Sequence, residues 1–368
     1  MSTERDVTPG DPHAAPRILV VGAGGIGGVL AGTLLSSGRR VDVLCRAATA
    51  DAIEARGLRL VGPHAPGGVT ATPSALLRDP ADADAPYDYV LLATQPTDVL
   101  DAARASAELL APGGRLVCLQ NGLCELHVAE VAGRERTLGA VVAWGASALE
   151  PGVVERTSAG GFSLGALDGP PGPEVERLAE VLRVVGPTQT TANLLGARWS
   201  KLAINCAISS LGTLGRDRLG ALMRHRFVRR LALEVMSEAV AVARHQGVAL
   251  EVLSGTIDLE WLALTRRERR SRGSAGLLAK HAVLLAVGAR YRRLRSSMLG
   301  AIERGRPPAV DFLNGEVVAR AGEVPTPINA EVQRSVHALA RGEVEGGLGE
   351  LRDLFERTRE EAHALARV

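Results

Sequence analysis

The chain has 368 residues, 46% of them hydrophobic and 23% charged, with a formal net charge of +2. That length exceeds one ordinary core and points to about two domains, and the near-neutral charge carries no nucleic-acid signature. The longest apolar stretch of the second half, around Ala282–Ala289, falls far short of the ~20 residues that cross a bilayer, so no membrane partner is expected.

Residues 1–16 are polar, contain three prolines and lack the apolar core of a signal peptide, which predicts a disordered leader. The run Arg17-Ile18-Leu19-Val20-Val21 then enters Gly22-Ala23-Gly24-Gly25-Ile26-Gly27. An apolar strand opening into G-x-G-x-x-G reads as a dinucleotide site. Gly22 permits the tight turn, Gly24 leaves no Cβ in the path of a pyrophosphate, and Gly27 lets the following helix pack close to the sheet. That helix continues through Val29–Leu35 to Gly38, and its N-terminus offers backbone N–H groups to phosphate.

Val41–Leu44 reads as the second strand, and Cys45 and Arg46 follow where an NAD site places an acid. A guanidinium suits a 2′-phosphate, so NADP is expected. Asp42 is acidic but lies inside the strand, and a solvated surface arginine is the bland alternative for Arg46. Further strands are expected at Tyr89–Ala93, Arg115–Leu119, Gly139–Ala143, Gly152–Glu155 and Phe162–Leu164. A helix is expected from Thr97 to Leu110, ended by Ala111-Pro112-Gly113-Gly114. The pattern describes a Rossmann-type, doubly wound α/β domain over residues 17–192.

From Trp199 the periodicity becomes helical, with helices expected near 195–214, 225–246, 276–304, 309–321 and 327–341. Residues 193–368 are therefore expected to form an all-α domain, taken as the substrate and dimerisation domain. Its tail, with leucines 348, 351 and 354, covers either the domain itself or a partner subunit, and a homodimer is assumed. An arginine-rich stretch at about 256–295 contains Arg266, Arg267, Arg269, Arg270 and Arg272, then Arg290, Arg292, Arg293 and Arg295. It reads as a solvated face in preference to a site for an acidic partner or a phosphorylated carrier. Cys45, Cys118, Cys124 and Cys206 have no metal-like spacing and fit reduced thiols in the cytoplasm. The eight histidines form no cluster, so no metal is assigned.

Reduction of a carbonyl by a nicotinamide needs a proton donor beside the oxygen and groups that hold the substrate. In Trp199-Ser200-Lys201-Leu202-Ala203-Ile204-Asn205, the lysine and asparagine are four apart and share one helical face. A partly desolvated lysine can have its pKa lowered towards neutrality, which suits donation to a developing alkoxide. Taken alone, the pair reads more readily as a snorkelling lysine and an asparagine bonded to backbone.

The order of motifs resembles the ketopantoate reductase family. The family pattern W-x-K-L-x-x-N is present as Trp199, Lys201, Leu202 and Asn205. Gln120-Asn121-Gly122, Ser296-Ser297-Met298-Leu299, Asp311-Phe312-Leu313-Asn314-Gly315 and Pro325-Thr326-Pro327-Ile328-Asn329 also occur in order. The resemblance spans about residues 17–340 and implies NADPH-dependent reduction of 2-dehydropantoate to pantoate, a step towards pantothenate and coenzyme A. It implies that Lys201 is the general acid, that Asn121 positions the nicotinamide side and Lys201, and that Asn205 binds substrate and Ser297 its carboxylate. It also implies that Gly22, Ala23, Gly24, Gly25, Ile26, Gly27 and Arg46 hold the cofactor.

Four positions depart from that pattern. Gln95 stands where a lysine near the cofactor is common, Ser209 where a second asparagine often lies on the substrate side, and Ala301 and Ala309 where acids are usual. These changes suit a second reading in which the same fold reduces another 2-oxo acid or an imine in a specialised pathway. A non-catalytic NADP-binding protein is the reading of a different class, and a 3-hydroxyacid dehydrogenase matches the ordered motifs less well.

Overall fold

The computed structural model describes residues 15–252, 257–271 and 273–365, so nearly all of the expected leader lies outside it, as does Arg272. The chain divides into two compact units. One runs up to Gln120 and takes in Cys124–Leu194; the other joins Asn121–Leu123 to the chain from Leu195 onward.

The first unit contains the strands β1 (Ile18–Val21), β2 (Val41–Leu44), β3 (Leu58–Val61), β4 (Val69–Ala71), β5 (Leu76–Leu77) and β6 (Tyr87–Leu92). These are followed by β7 (Leu110–Cys118), β8 (Thr137–Val142), β9 (Ala146–Glu150), β10 (Val153–Arg156), β11 (Phe162–Ala166) and β12 (Thr188–Thr190). Its helices are α1 (Gly25–Ser36), α2 (Ala47–Arg56), α3 (Val99–Ala107), α4 (Cys124–Ala132) and α5 (Pro173–Leu182). Eight strands form one sheet in the order β12-β11-β8-β7-β6-β1-β2-β5. All neighbours in it are parallel except β8 and β11, which are antiparallel. Strand β1 is buried along its whole length, as a central parallel strand covered on both faces must be. It lies between β2 and β6, so the strand order reverses there, and a crevice opens at the strands' carboxyl ends.

A second sheet, β4-β3-β10-β9, packs on α1. Its strands, apart from β10, were not expected from the sequence, nor were β5 and β12: β4, β5 and β12 are too short for a periodic signal, β9 is almost wholly exposed, and β3 alternates buried Leu58 and Leu60 over only four residues. Two expected boundaries also shift. Ala111–Gly114 belong to β7 rather than to a helix stop, because β7 begins at Leu110 opposite Tyr87 and bulges before Arg115 pairs with Tyr89. The strand expected from Gly152 begins at Val153, since Gly152 turns the chain at φ +77°.

The second unit is helical: α6 (Leu194–Leu214), α7 (Leu219–Leu222), α8 (Arg226–His245), α9 (Leu259–Leu262), α10 (Arg266–Arg270), α11 (Ala275–Arg290), α12 (Ser297–Glu303), α13 (Asn314–Ala319), α14 (Pro327–Ala340) and α15 (Leu348–Leu365). The single helix expected over 276–304 is two, α11 and α12, because Ser296 caps a fresh start by accepting from the Leu299 N–H. The helix expected over 309–321 is a 3₁₀ turn at Ala309–Phe312 followed by α13.

A buried polar network ties α6, α8, α13 and α14 together. Ser210 Oγ donates to Asn314 Oδ1 (2.5 Å), and Asn314 Nδ2 donates to Asn329 Oδ1 (2.9 Å). Asn329 Nδ2 donates to Glu238 Oε2 (2.7 Å) and Val235 O (3.1 Å). The Ile328 and Asn329 N–H groups also donate to the Glu238 carboxylate, at 3.0 and 2.8 Å.

The arginine-rich stretch is only partly a solvated face. Arg266, Arg267, Arg270, Arg290, Arg292, Arg293 and Arg295 are exposed, whereas Arg269 faces Glu234 (3.5 Å). Lys280 of α11 is buried and donates to Glu268 (2.6 Å) and to Ala263 O (2.7 Å), which pins α11 to α10.

Candidate active site

The loop after β1 has the geometry that a dinucleotide needs. Gly22 sits at φ +99°, where side chains are rarely accommodated, and its N–H donates to Leu44 O (2.8 Å). A Cβ on Gly27 would lie 1.9 Å from Gly22 O, so only glycine lets α1 start this close to β1. A Cβ on Gly24 would meet nothing within 4 Å: the space over the loop is open. No side chain caps α1 and no acid lies in its first turn, which leaves that end to an anion. These features fit a bound pyrophosphate. They also separate two roles by substitution. Gly27→Ala is expected to cost about 3 kcal/mol in urea denaturation, at the upper end of over-packing penalties. Gly24→Ala, at the N-cap of α1, should cost no more than about 1 kcal/mol and show its main effect on dinucleotide binding, measured by titration.

Other glycines of this run have a different task. Cβ atoms on Gly25, Gly28 and Gly32 would fall 2.8 Å from Ala146 O, 2.6 Å from a Val154 methyl and 2.0 Å from a Leu60 methyl. That stripe of α1 is bare so that the second sheet can lie on it. The sequence motif contains no sign of this role.

At the end of β2, Arg46 is exposed and stands at the N-cap of α2. Asp42, the acid inside the strand, accepts from Tyr87 OH (2.8 Å) and is therefore engaged away from the strand's end. Gln95 is exposed just after β6, on the other side of the reversal in strand order. Gln120 braces the ends of β6 and β7, donating from Nε2 to Leu92 O (3.0 Å). Gly22, Gly24, Gly27, Arg46 and Gln95 thus all follow the carboxyl ends of β1, β2 and β6.

In the second unit, α6 buries Trp199, Leu202, Ala203, Cys206, Ala207, Ser210 and Leu211. Lys201, Ile204, Asn205, Ile208 and Ser209 are only half buried. Their spacing of three and four residues makes one half-buried stripe, with Lys201, Asn205 and Ser209 in line along it. Burial pulls the Lys201 ammonium down to a pKa of about 7, and Arg198, one turn earlier on α6 and itself buried, pushes in the same direction. Asn205 Nδ2 is shielded from solvent and has no hydrogen-bond partner among the described residues. A buried amide donor left in that state is costly unless a ligand completes it.

Asn121 is exposed, and its segment clusters with the helical unit, where Gly122 at φ +97° lies against Phe312 O. Ser297 is exposed at the first position of α12. The hydroxyl that reaches α6 is its neighbour's: Ser296 Oγ donates to Ser209 O (2.9 Å) and shares a hydrogen bond with Thr213 Oγ1 (2.8 Å). Sequence reasoning missed this contact, although the Ser296–Leu299 spacing is an N-cap signal. Asn314 and Asn329, read from the sequence only as family landmarks, belong to the polar network of the interior.

The family model of ketopantoate reductase PanE/ApbA matches residues 18–169, and the model of its C-terminal domain matches residues 193–340. A 2-dehydropantoate 2-reductase of Pyrococcus abyssi is 27% identical over 319 residues, covering 85% of this chain and 94% of that protein. Among solved structures, a PanE/ApbA family ketopantoate reductase from Ralstonia eutropha is 26% identical, with a TM-score of 0.73, covering 89% of this chain and 99% of the other. A D-mandelate dehydrogenase solved with NADH and anilino(oxo)acetate has the same TM-score and coverage at 18% identity, a likeness of fold. With both family models in chain order over the Rossmann-type unit and the helical unit, the chain belongs to the ketopantoate reductase family and is an oxidoreductase.

Proposed function

We propose that this chain reduces the 2-oxo group of 2-dehydropantoate with NADPH, giving pantoate, and that Lys201 is its general acid. The observation that carries the reading is the polar line on α6: a lysine with a pKa near 7 stands one turn from an asparagine whose amide donor has no partner among the described residues. Ketopantoate reductases use NADPH, and this chain has Arg46, rather than an acid, after β2.

When bound, NADPH supplies the hydride that goes to the 2-oxo carbon. As the carbonyl oxygen gains charge, the Lys201 ammonium donates a hydrogen bond and then its proton, leaving a neutral amine that burial and the nearby Arg198 charge favour. Asn205 Nδ2 donates to a polar group of the substrate, and Ser209, one turn further, extends the same line. Ser297 and Asn121 remain assigned to the substrate carboxylate and to positioning of the nicotinamide side and Lys201. Gln95 accompanies Arg46, Gly22, Ala23, Gly24, Gly25, Ile26 and Gly27 on the cofactor side. Holding the reactants in register accounts for roughly 7–11 kcal/mol of barrier in well-oriented reactions.

The second reading keeps the chemistry and changes the 2-oxo acid. It is favoured by Ser209 in place of an asparagine and by Ala301 and Ala309 in place of acids; Ala301 is buried, with no polar atom to offer. Oxidation of NADPH with 2-dehydropantoate, beside a panel of aliphatic and aromatic 2-oxo acids, decides between them. A kcat/KM of about 10⁴ M⁻¹s⁻¹ or more with 2-dehydropantoate is expected; failure with it alongside turnover of another acid selects the second reading. NADPH binding without turnover of any acid would leave a binding protein. In the same preparation, Arg46→Asp is expected to weaken NADPH binding by about 10- to 100-fold, in line with loss of a charge-assisted bond plus like-charge repulsion. An unchanged dissociation constant would remove Arg46 from the cofactor site.

A further inference from the structure

Strand β5 is the outermost strand beside β2, pairing Val43 with Leu76 and Leu44 with Leu77 in parallel register. The Cys45 N–H continues the ladder to Leu77 O (3.1 Å), so Arg78 leaves β5 level with Cys45 and Arg46, at the carboxyl edge where open α/β sheets bind ligands. Its guanidinium is held from one side only. Nη2 donates to Asp51 Oδ1 (2.7 Å) and Glu54 Oε2 (2.6 Å), both on α2, and Nε donates to Asp51 Oδ1 (3.3 Å). Among the described residues no hydrogen bond uses Nη1, and Arg46 makes no side-chain hydrogen bond or ion pair. The Arg78 side chain is 39% exposed, which leaves the guanidinium within reach of a ligand from solvent.

We propose that Arg78 is a second anchor for the adenosine 2′-phosphate of the cofactor, acting beside Arg46 and held in place by Asp51 and Glu54. The inference rests on the NADPH reading above. Exposed ion pairs of this kind contribute little to stability, but they fix a long side chain in one rotamer before the ligand arrives, which lowers the ordering cost of binding. The guanidinium fork then presents Nη1 to a group with about −1.5 to −2 of charge. Both arginines lie near enough to the Cys45 thiol to oppose the effect of burial, which pushes it up to about 11. The carboxylates have a further effect. Occupied by Arg78, Asp51 and Glu54 are taken from the role of accepting a ribose 2′-hydroxyl, the feature by which an NAD site favours the unphosphorylated cofactor.

The test is calorimetric titration of the full chain with NADPH, NADH, 2′,5′-ADP and 5′-AMP, for wild type, Arg78→Met and Arg46→Met. Arg78→Met should weaken NADPH and 2′,5′-ADP by about 10- to 100-fold, as expected for one charge-assisted bond, while NADH and 5′-AMP bind as tightly as before or better. An unchanged 2′,5′-ADP affinity in Arg78→Met, with a loss in Arg46→Met, would overturn the role of Arg78 and leave the NADPH reading standing. Failure of the wild type to prefer 2′,5′-ADP over 5′-AMP would overturn both. Should Arg78→Met not fold, Arg78→Lys keeps a charge beside the two acids but loses the spare arm of the fork. The same loss of 2′,5′-ADP affinity is expected there, and its absence counts against the proposal.

Discussion

Replacing Lys201 with alanine is expected to lower kcat for the reduction by about 10²- to 10⁴-fold, the range that a positioned general acid contributes. The variant should fold at least as well as the parent. The ammonium is destabilised in the native state, since its pKa falls from an ordinary 10.5 to about 7, so its charged form works against folding at any pH below 10.5. Equal or raised stability in urea denaturation, together with lost turnover, separates a chemical role from a structural one. The pH profile follows from the same shift. Reduction requires the protonated amine, so kcat/KM is expected to fall as pH rises through about 7, and oxidation of the alcohol to rise over the same interval. Arg198 holds that midpoint down together with burial. A profile flat from pH 6 to 9, or full turnover in Lys201→Ala, would take the lysine out of the mechanism.

The largest effect on stability is expected in the interior of the helical unit. Asn329→Leu keeps the branched shape but leaves Asn314 Nδ2, Val235 O and Glu238 Oε2 each short of a bond. A buried network broken in this way costs about 3–5 kcal/mol, read as a lower urea midpoint at unchanged slope. Glu238 adds a pH signature. Burial raises its pKa from 4.5 to about 7, against the bonds it receives from Asn329 and Ile328. For an acid with a raised folded pKa, the contribution to stability is complete below pH 4.5 and is lost as pH rises through about 7. Comparing the parent with Glu238→Gln isolates that slope: stability should decline between pH 4.5 and 7 in the parent by more than in the variant. Equal slopes would mean that the carboxylate is already ionised throughout.

The parts of the fold legible in the sequence are those where local chemistry leaves one solution. Ile18–Val21 followed by Gly22 and Gly27 permits only a strand, a left-handed turn and a close helix. The Lys201–Asn205 line was legible for a similar reason, since a four-residue spacing in a helix has one geometric meaning. What was not legible depends on partners far along the chain. Gly25, Gly28 and Gly32 pack under strands drawn from residues 58–61 and 146–156, and nothing near the glycines signals that sheet. Asn314 and Asn329 have polar side chains whose meaning depends on Glu238, a residue on α8 that reads as an ordinary helical surface acid until it is found buried. The Ser296 cap was available from its spacing, but the strong apolar run before it favoured one continuous helix.

The small segment Asn121–Leu123 has a consequence for how the chain is made. It lies between Gln120 and Cys124, both members of the first unit, yet it clusters with the second, where Gly122 rests against the Phe312 carbonyl. During synthesis the sheet can assemble as soon as its own strands emerge, because domains fold as units from the N-terminus. The seat of Gly122 against the Phe312 carbonyl, however, cannot form until Phe312 has emerged from the ribosome. The nascent Rossmann unit therefore waits with one loop unfinished, and that loop includes Asn121.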